Sequence, residues 1–340
     1  MLNFIEDFPD GEPSLKTSLN KTVTMGIDTE YFRKDENSNI CLTWQHTVYN
    51  SYTGILKTHI HYEDYENEVR LDSNEILRLG FKLAGISDDE VEDYDVIVVA
   101  HFAVAELAML RNRKQVVPFL EFLYKTVITF RPIDFPYITE SGVLKNIKFS
   151  LNDTMLLLPP SHRSLEKASS LLDAKFHKKD LSADEKSDML SLLLSDKARF
   201  EEYAIHDSYI TLMLFFKLQF LLNSINETED VIYTTIGSAT VKHFQKFIKD
   251  NFPKGTFSSQ FNQNNSIYKK GLDLASRAYM GGLNSSYFVG EVDGELILDV
   301  DFSSAYPNIM ALLPISDYGE VEKKKKIKSK DFSLGLSDDS

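Results

Sequence analysis

Val23-Thr24-Met25-Gly26-Ile27-Asp28-Thr29-Glu30 is a short apolar run that ends in two carboxylates two residues apart. An apolar run of this length with β-branched members reads as a buried strand. Side chains alternate along a strand, so Asp28 and Glu30 fall on one face. Hard divalent cations prefer oxygen ligands, and two carboxylates on one face supply half of such a site.

The pattern continues outward from this strand. Leu42 to Tyr49 alternates with β-formers and predicts a second strand, and His59 to Tyr62 a weaker third. Asn74 to Ala84 has helical spacing. Asp95-Val96-Ile97-Val98-Val99-Ala100 predicts a buried strand, followed by a helix over Ala103 to Arg113. Phe149 to Leu158 reads as a strand stopped by Pro159-Pro160, and Ser164 is placed to cap a further helix. Residues 196–223 form a long helical stretch. Strands alternating with helices predict an α/β domain over 22–225. Residues 1–21 are a polar leader, 226–270 a polar linker or helical connection, 271–321 carry strand patterns again, and 322–340 form a lysine-rich tail that includes Lys323 to Lys326. No internal repeat is present.

Composition sets bounds on function. The chain has 340 residues, 43% hydrophobic and 26% charged, enough for two domains with ordinary cores. Its single cysteine, Cys41, excludes an internal disulfide framework and fits a reducing compartment. The N-terminus has no signal-type segment, and no uninterrupted apolar run reaches the ~18 residues of a membrane span. The expectation is an intracellular, cytoplasmic protein without a membrane partner. The net charge of −14 argues mildly against a stand-alone duplex binder, because phosphate contacts need clustered cations. It also suits a carboxylate-built metal site, or a basic channel lying outside this sequence.

A second carboxylate element lies at Glu201-Glu202-Tyr203-Ala204-Ile205-His206-Asp207. Tyr203 and Asp207 are spaced i and i+4 on a helix and project together. Asp207 can close a metal site with Asp28, and the Tyr203 hydroxyl can hydrogen-bond an attacking water. In this order the two elements resemble the DEDD superfamily of 3′–5′ exonucleases. The resemblance implies a ribonuclease H-like fold and phosphodiester hydrolysis with two Mg²⁺ or Mn²⁺ ions per catalytic site. The Tyr203-x-x-x-Asp207 spacing is similar to the tyrosine subclass, which leaves His206 outside the site. By the same resemblance Glu106 is the middle metal ligand, standing where the family carries aspartate, and Phe102 stands where many members carry asparagine. The extra methylene of glutamate matters, because a displacement of about 1 Å can cost about 100-fold in rate. Asn152-Asp153-Thr154 resembles the Asp-Thr strand of such domains, with Asp153 in a structural hydrogen-bonding role.

Leu296-Ile297-Leu298-Asp299-Val300-Asp301-Phe302-Ser303-Ser304-Ala305-Tyr306-Pro307 resembles the first catalytic motif of family B DNA polymerases, of the organellar, viral and linear-plasmid type. The resemblance implies that Asp301 binds catalytic and nucleotide-bound Mg²⁺, that Tyr306 packs under the incoming sugar, and that Ser304 lies on the phosphate-binding turn. Ala305 replaces the usual leucine. Tyr279-Met280-Gly281-Gly282 resembles the Tyr-x-Gly-Gly element between exonuclease and polymerase domains, and marks Tyr279, Gly281 and Gly282 as template contacts. The implied architecture is a ribonuclease H-like exonuclease domain followed by the beginning of a polymerase palm. The implied partners are DNA, as a single-stranded 3′ end and primer-template, with deoxynucleoside triphosphates if a missing palm completes the enzyme.

A fingers lysine helix and a second Asp-Thr-Asp palm hairpin do not occur. One carboxylate cannot hold two Mg²⁺ for nucleotidyl transfer. Three readings stay open: the N-terminal part of a DNA-directed DNA polymerase with proofreading, as a fragment, as a split product completed by a second polymerase chain, or as a decayed remnant; a stand-alone metal-dependent 3′–5′ exonuclease; and a non-catalytic DNA-binding or scaffold chain.

Overall fold

The computed structural model describes residues 21–251, apart from 37, 124, 173–177 and 179–180. The chain divides into two units, Met1–Ile248 and Lys249–Ser340. The expected polymerase elements around Tyr279, Gly281, Gly282, Asp301, Ser304 and Tyr306 lie outside the described residues.

The elements run β1 (Lys21–Arg33), β2 (Asn39–Asn50), β3 (Ile55–Tyr62), α1 (Ser73–Ala84), β4 (Tyr94–Ala100), α2 (Ala103–Met109), α3 (Arg113–Val116), β5 (Glu121–Leu123), β6 (Thr126–Ile128), β7 (Ile133–Ile138), β8 (Leu144–Asp153), α4 (Leu165–Ser169), α5 (Ala183–Ser187), α6 (Met189–Ser195), α7 (Lys197–Asn226) and α8 (Ile236–Asn251). The architecture is mixed α/β. A six-stranded sheet has the order β3-β2-β1-β4-β8-β7, and β5 and β6 form a separate hairpin. β1 and β2, β2 and β3, and β7 and β8 are antiparallel, while β1, β4 and β8 are parallel.

Side-chain alternation distributes the core over two faces. Met25, Ile27, Val96 and Val98 join Ile76, Leu77 and Phe81 of α1 and Leu107 of α2. Ile97 and Val99, one residue out of phase, join Leu165 of α4 and Ile210, Leu214 and Phe215 of α7. α7 is buried around most of its circumference, which is why it lacks a polar stripe. It is long and apolar enough to cross a membrane by length and composition, and more than half of its most apolar stretch is buried inside the domain, as in a core helix. Cys41 is buried on β2, and burial holds its thiol well above the usual range.

The elements predicted within the described residues appear, with β3 and β8 starting earlier than expected, at Ile55 and Leu144, and with two C-terminal ends corrected; the expected strand patterns of 271–321 and the lysine-rich tail lie outside the described residues. The helix expected over Ala103 to Arg113 stops at Met109. Leu110 turns extended, and α1 captures the next two residues: Asn112 Oδ1 accepts from the Ser73 amide at 3.0 Å, and Arg111 pairs with Asp72 at 2.6 Å and with Glu75 at 3.0 Å. Asp72 and Glu75 are themselves the capping box of α1, so two helix ends share one polar cluster. The strand expected to reach Leu158 ends at Asp153. Its buried carboxylate accepts from the amides of Phe102, Ala103 and Met155 at 3.1, 2.8 and 2.8 Å and from the Thr126 hydroxyl. These bonds hold Phe102 at φ 74°, a left-handed conformation that a bulky residue adopts only when its surroundings fix it.

Gly26 sets the spacing between β1 and α7. A Cβ at this position would lie 2.7 Å from the Ser208 carbonyl oxygen and 2.9 Å from Leu212 Cβ. The strand and the helix therefore touch backbone to backbone, a contact that only glycine permits. Gly26→Ala is expected to destabilise the domain by about 1–3 kcal/mol through overpacking. Chemical denaturation measures this, and an unchanged midpoint and slope would refute the proposed close contact.

Candidate active site

β1 keeps two neighbours only along its first half. Its pairing with β4 runs from Lys21–Tyr94 to Gly26–Val99, and its pairing with β2 continues to Arg33–Asn39 with an irregularity between Glu30 and Tyr31. Asp28 and Glu30 thus lie just beyond the carboxyl end of the parallel pairing, where open α/β sheets place their ligand sites. They share the parity of Gly26 and face α7.

α7 brings Asp207 to them. Asp28, Glu30 and Asp207 offer carboxylate oxygens that all lie within 4.8 Å of one another. Ser208, the next residue on α7, shares a 2.9 Å hydrogen bond with Thr47 of β2, which fixes the helix against the sheet. Asp207 is buried, and its Oδ1 has no hydrogen-bond partner. Asp28 and Glu30 keep some exposed surface, so the cluster opens to solvent on the β1 side.

The electrostatics follow from three acids in one place. Burial, and next the Asp207 charge, push Asp28 from its ordinary value near 3.8 up to about 8, against the pull of Lys178. Burial, then Asp28 and Asp207, hold Glu30 well above the carboxylate range. Burial also raises Asp207, with Lys178 working the other way. Burial and the Asp207 charge raise the Tyr203 phenol, which keeps its proton and can act as a donor. A multivalent cation is what relieves such a field.

Tyr203 sits one turn before Asp207 on α7, as the sequence spacing predicts, and its side chain is buried. Glu106 is on α2, also as predicted, but it does not belong to the group of three. Its side chain is 5% exposed and lines a small cavity of about 60 Å³ with Ile27, Val98, Ala103 and Leu107, on the α1 side of the sheet. Its Oε2 has no hydrogen-bond partner, and burial, then Asp28, raise its pKa well above the usual range. Asp28 is therefore close enough for its charge to act on Glu106, although the two residues face different layers.

One residue at the site had no sequence signal. Lys178 lies on irregular backbone between α4 and α5, and its Nζ reaches Asp207 Oδ2 at 2.5 Å and stands over the Tyr203 ring at 5.0 Å. It precedes Asp207 by 29 residues, in a stretch with two adjacent lysines and no periodicity that distinguishes one from the other. His101 carries no sequence signal either. Its Nε2 is 2.8 Å from the Arg163 carbonyl, which can only accept, so Nε2 carries the proton; Nδ1 takes the Thr154 hydroxyl at 2.7 Å. Burial lowers its pKa, and the ring stays neutral.

No protein-family model matches the chain, and neither does any curated protein. Among solved structures the chain is similar to a full-length 3′-exonuclease, with 12% identity over 60% of this chain and 84% of that one and a TM-score of 0.30. A likeness of that size carries no weight in assigning the chemistry, which rests on the residues themselves.

A carboxyl that titrates higher folded than unfolded adds stability at low pH and loses it as pH rises. For Asp28 the window runs from its ordinary value near 3.8 to about 8. Without metal, the wild type is therefore expected to lose stability as pH rises through this window, by at most about 1.4 kcal/mol per unit from this group. Asp28→Asn should flatten the decline. Thermal melts in chelator across the window test this, and parallel curves for the two proteins would rule it out.

Proposed function

We propose that this domain is a metal-dependent 3′–5′ exonuclease acting on single-stranded DNA ends. The observation that carries the proposal is the convergence of Asp28, Glu30 and Asp207 beside Tyr203 at the end of the parallel strands. The mixed sheet, with β1 near its centre and the acids just past the end of its parallel pairing with β4, supports the ribonuclease H-like reading.

The donor set fits Mg²⁺ or Mn²⁺. It is built of hard oxygens, it includes the unpartnered Asp207 Oδ1, and its members raise one another's pKa. Asp28, Glu30 and Asp207 would hold the ions, with Glu106 as a further ligand if its side chain turns out of its cavity. Bound divalent metal supplies an activated water and charge neutralisation at the phosphoryl group. The rest falls to the chain. The protonated Tyr203 hydroxyl donates to and orients the attacking water. Asp153 fixes the Phe102–Ala103 turn, and neutral His101 ties β4 to the Arg163 loop; both brace the rim of the site.

The finer reading, that the domain proofreads for a family B DNA polymerase, is supported by sequence alone, through Asp301, Ser304 and Tyr306 and through Tyr279, Gly281 and Gly282. It would add primer-template and deoxynucleoside triphosphates as ligands, an intracellular setting, and synthesis only with further palm and fingers elements.

A 5′-labelled single-stranded oligonucleotide incubated with Mg²⁺ or Mn²⁺ is expected to shorten stepwise from its 3′ end. Asp28→Ala should slow this by at least about 100-fold, and Tyr203→Phe, which keeps the ring, by about 100-fold. Absence of shortening by folded wild type with either metal would sink the proposal.

A further inference from the structure

Lys178 places a positive charge inside the carboxylate cluster. Its side chain is 18% exposed and that of Asp207 5%, so the pair is largely withdrawn from water. Burial works against the ammonium, but Asp207 and Tyr203 more than offset it and raise its pKa. Lys178 belongs to none of the helices or strands. Its amide donates to Ser169 Oγ at 3.0 Å. The four-carbon stem of a lysine can move its ammonium by changing rotamer alone.

The ammonium and a divalent ion compete for one oxygen set. Lys178 takes Oδ2 of Asp207, and Asp207 belongs to the only group among the described residues able to hold a metal. A cation in contact with that carboxylate repels a second one placed on the same three acids. From this geometry we infer that Lys178 is a resident counter-cation, which neutralises the acidic centre while metal is absent and is repelled from Asp207 Oδ2 when a metal takes the open Oδ1 and the neighbouring carboxylates. Lys178 thereby sets the affinity of the site for divalent ions. The inference rests on the metal-binding part of the proposed function, not on the hydrolytic step.

Two measurements on the full chain test it without reference to activity. In wild type, amine-directed labelling read by mass spectrometry should find Lys178 protected in chelator and several-fold more reactive with Mn²⁺. Labelling that is unchanged or reduced by Mn²⁺ would overturn the inference. Calorimetric titration with Mn²⁺ should give Lys178→Met and Lys178→Gln affinities tighter than wild type by about tenfold, the weight of one pKa unit of interaction. Both variants should melt at lower temperature in chelator and gain more than wild type from Mn²⁺. Wild type that binds Mn²⁺ beside folded variants that bind no tighter would overturn the role of Lys178 alone. Failure of wild type and both variants to bind Mn²⁺ would overturn the metal reading with it.

Discussion

The contact between Gly26 and the Ser208–Leu212 turn of α7 governs everything at the acidic centre. A strand and a helix from distant parts of the chain approach until backbone meets backbone. Two residues further along β1, on the same face, Asp28 meets Asp207. Any side chain at Gly26 would lever α7 away from the sheet, and the same motion would part the carboxylates. Packing and chemistry are thus one constraint here, written in the five residues Gly26 to Glu30 and their partners on α7.

That constraint carries an electrostatic cost. Three acids within 4.8 Å, one of them almost wholly buried, repel one another and lose hydration. The fold offsets part of this with Lys178 and leaves the rest as raised pKa values. Elsewhere the same chemistry is used for stability. Asp153 is also fully buried, but four donors converge on it, and it serves as a joint between β8, β6 and the start of α2. Satisfied, a buried carboxylate braces a structure; left partly unsatisfied and among its own kind, it makes a place suited to a cation.

Much of this was legible from residue patterns. The period-two placement of Asp28 and Glu30 and the i, i+4 placement of Tyr203 and Asp207 depend on local backbone geometry, and local geometry is what a sequence states most directly. The strand at Asp95 to Ala100 and the long helix from Lys197 were equally clear, being strongly patterned and long. The end of α2 was not, because Leu110 to Asn112 leave the helix for hydrogen bonds and ion pairs with α1, some 40 residues away. The β5–β6 hairpin was missed, since strands of three residues leave almost no periodic trace. Lys178 was invisible for a different reason. A lysine in a polar stretch looks solvated until the fold brings an aspartate to it. Glu106 is the intermediate case: the start of its helix was legible, but the face it turns toward the apolar cavity depends on how α2 packs.

The burial of α7 on nearly all sides also has a consequence for how the domain is made. Among the described residues all eight strands precede it in the chain, and the α7-facing surface of the six-stranded sheet is completed only when residues around Tyr203 to Leu218 arrive. The bond between Thr47 and Ser208 closes a loop of 161 residues, a long-range contact of the kind that slows folding. During synthesis from the N-terminus, the sheet therefore waits with one apolar face uncovered, and a chain arrested before α7 exposes that face to aggregation. The acidic centre is assembled in the same event that closes the core, so nascent chains carry no preformed cluster of the three carboxylates before the domain is whole.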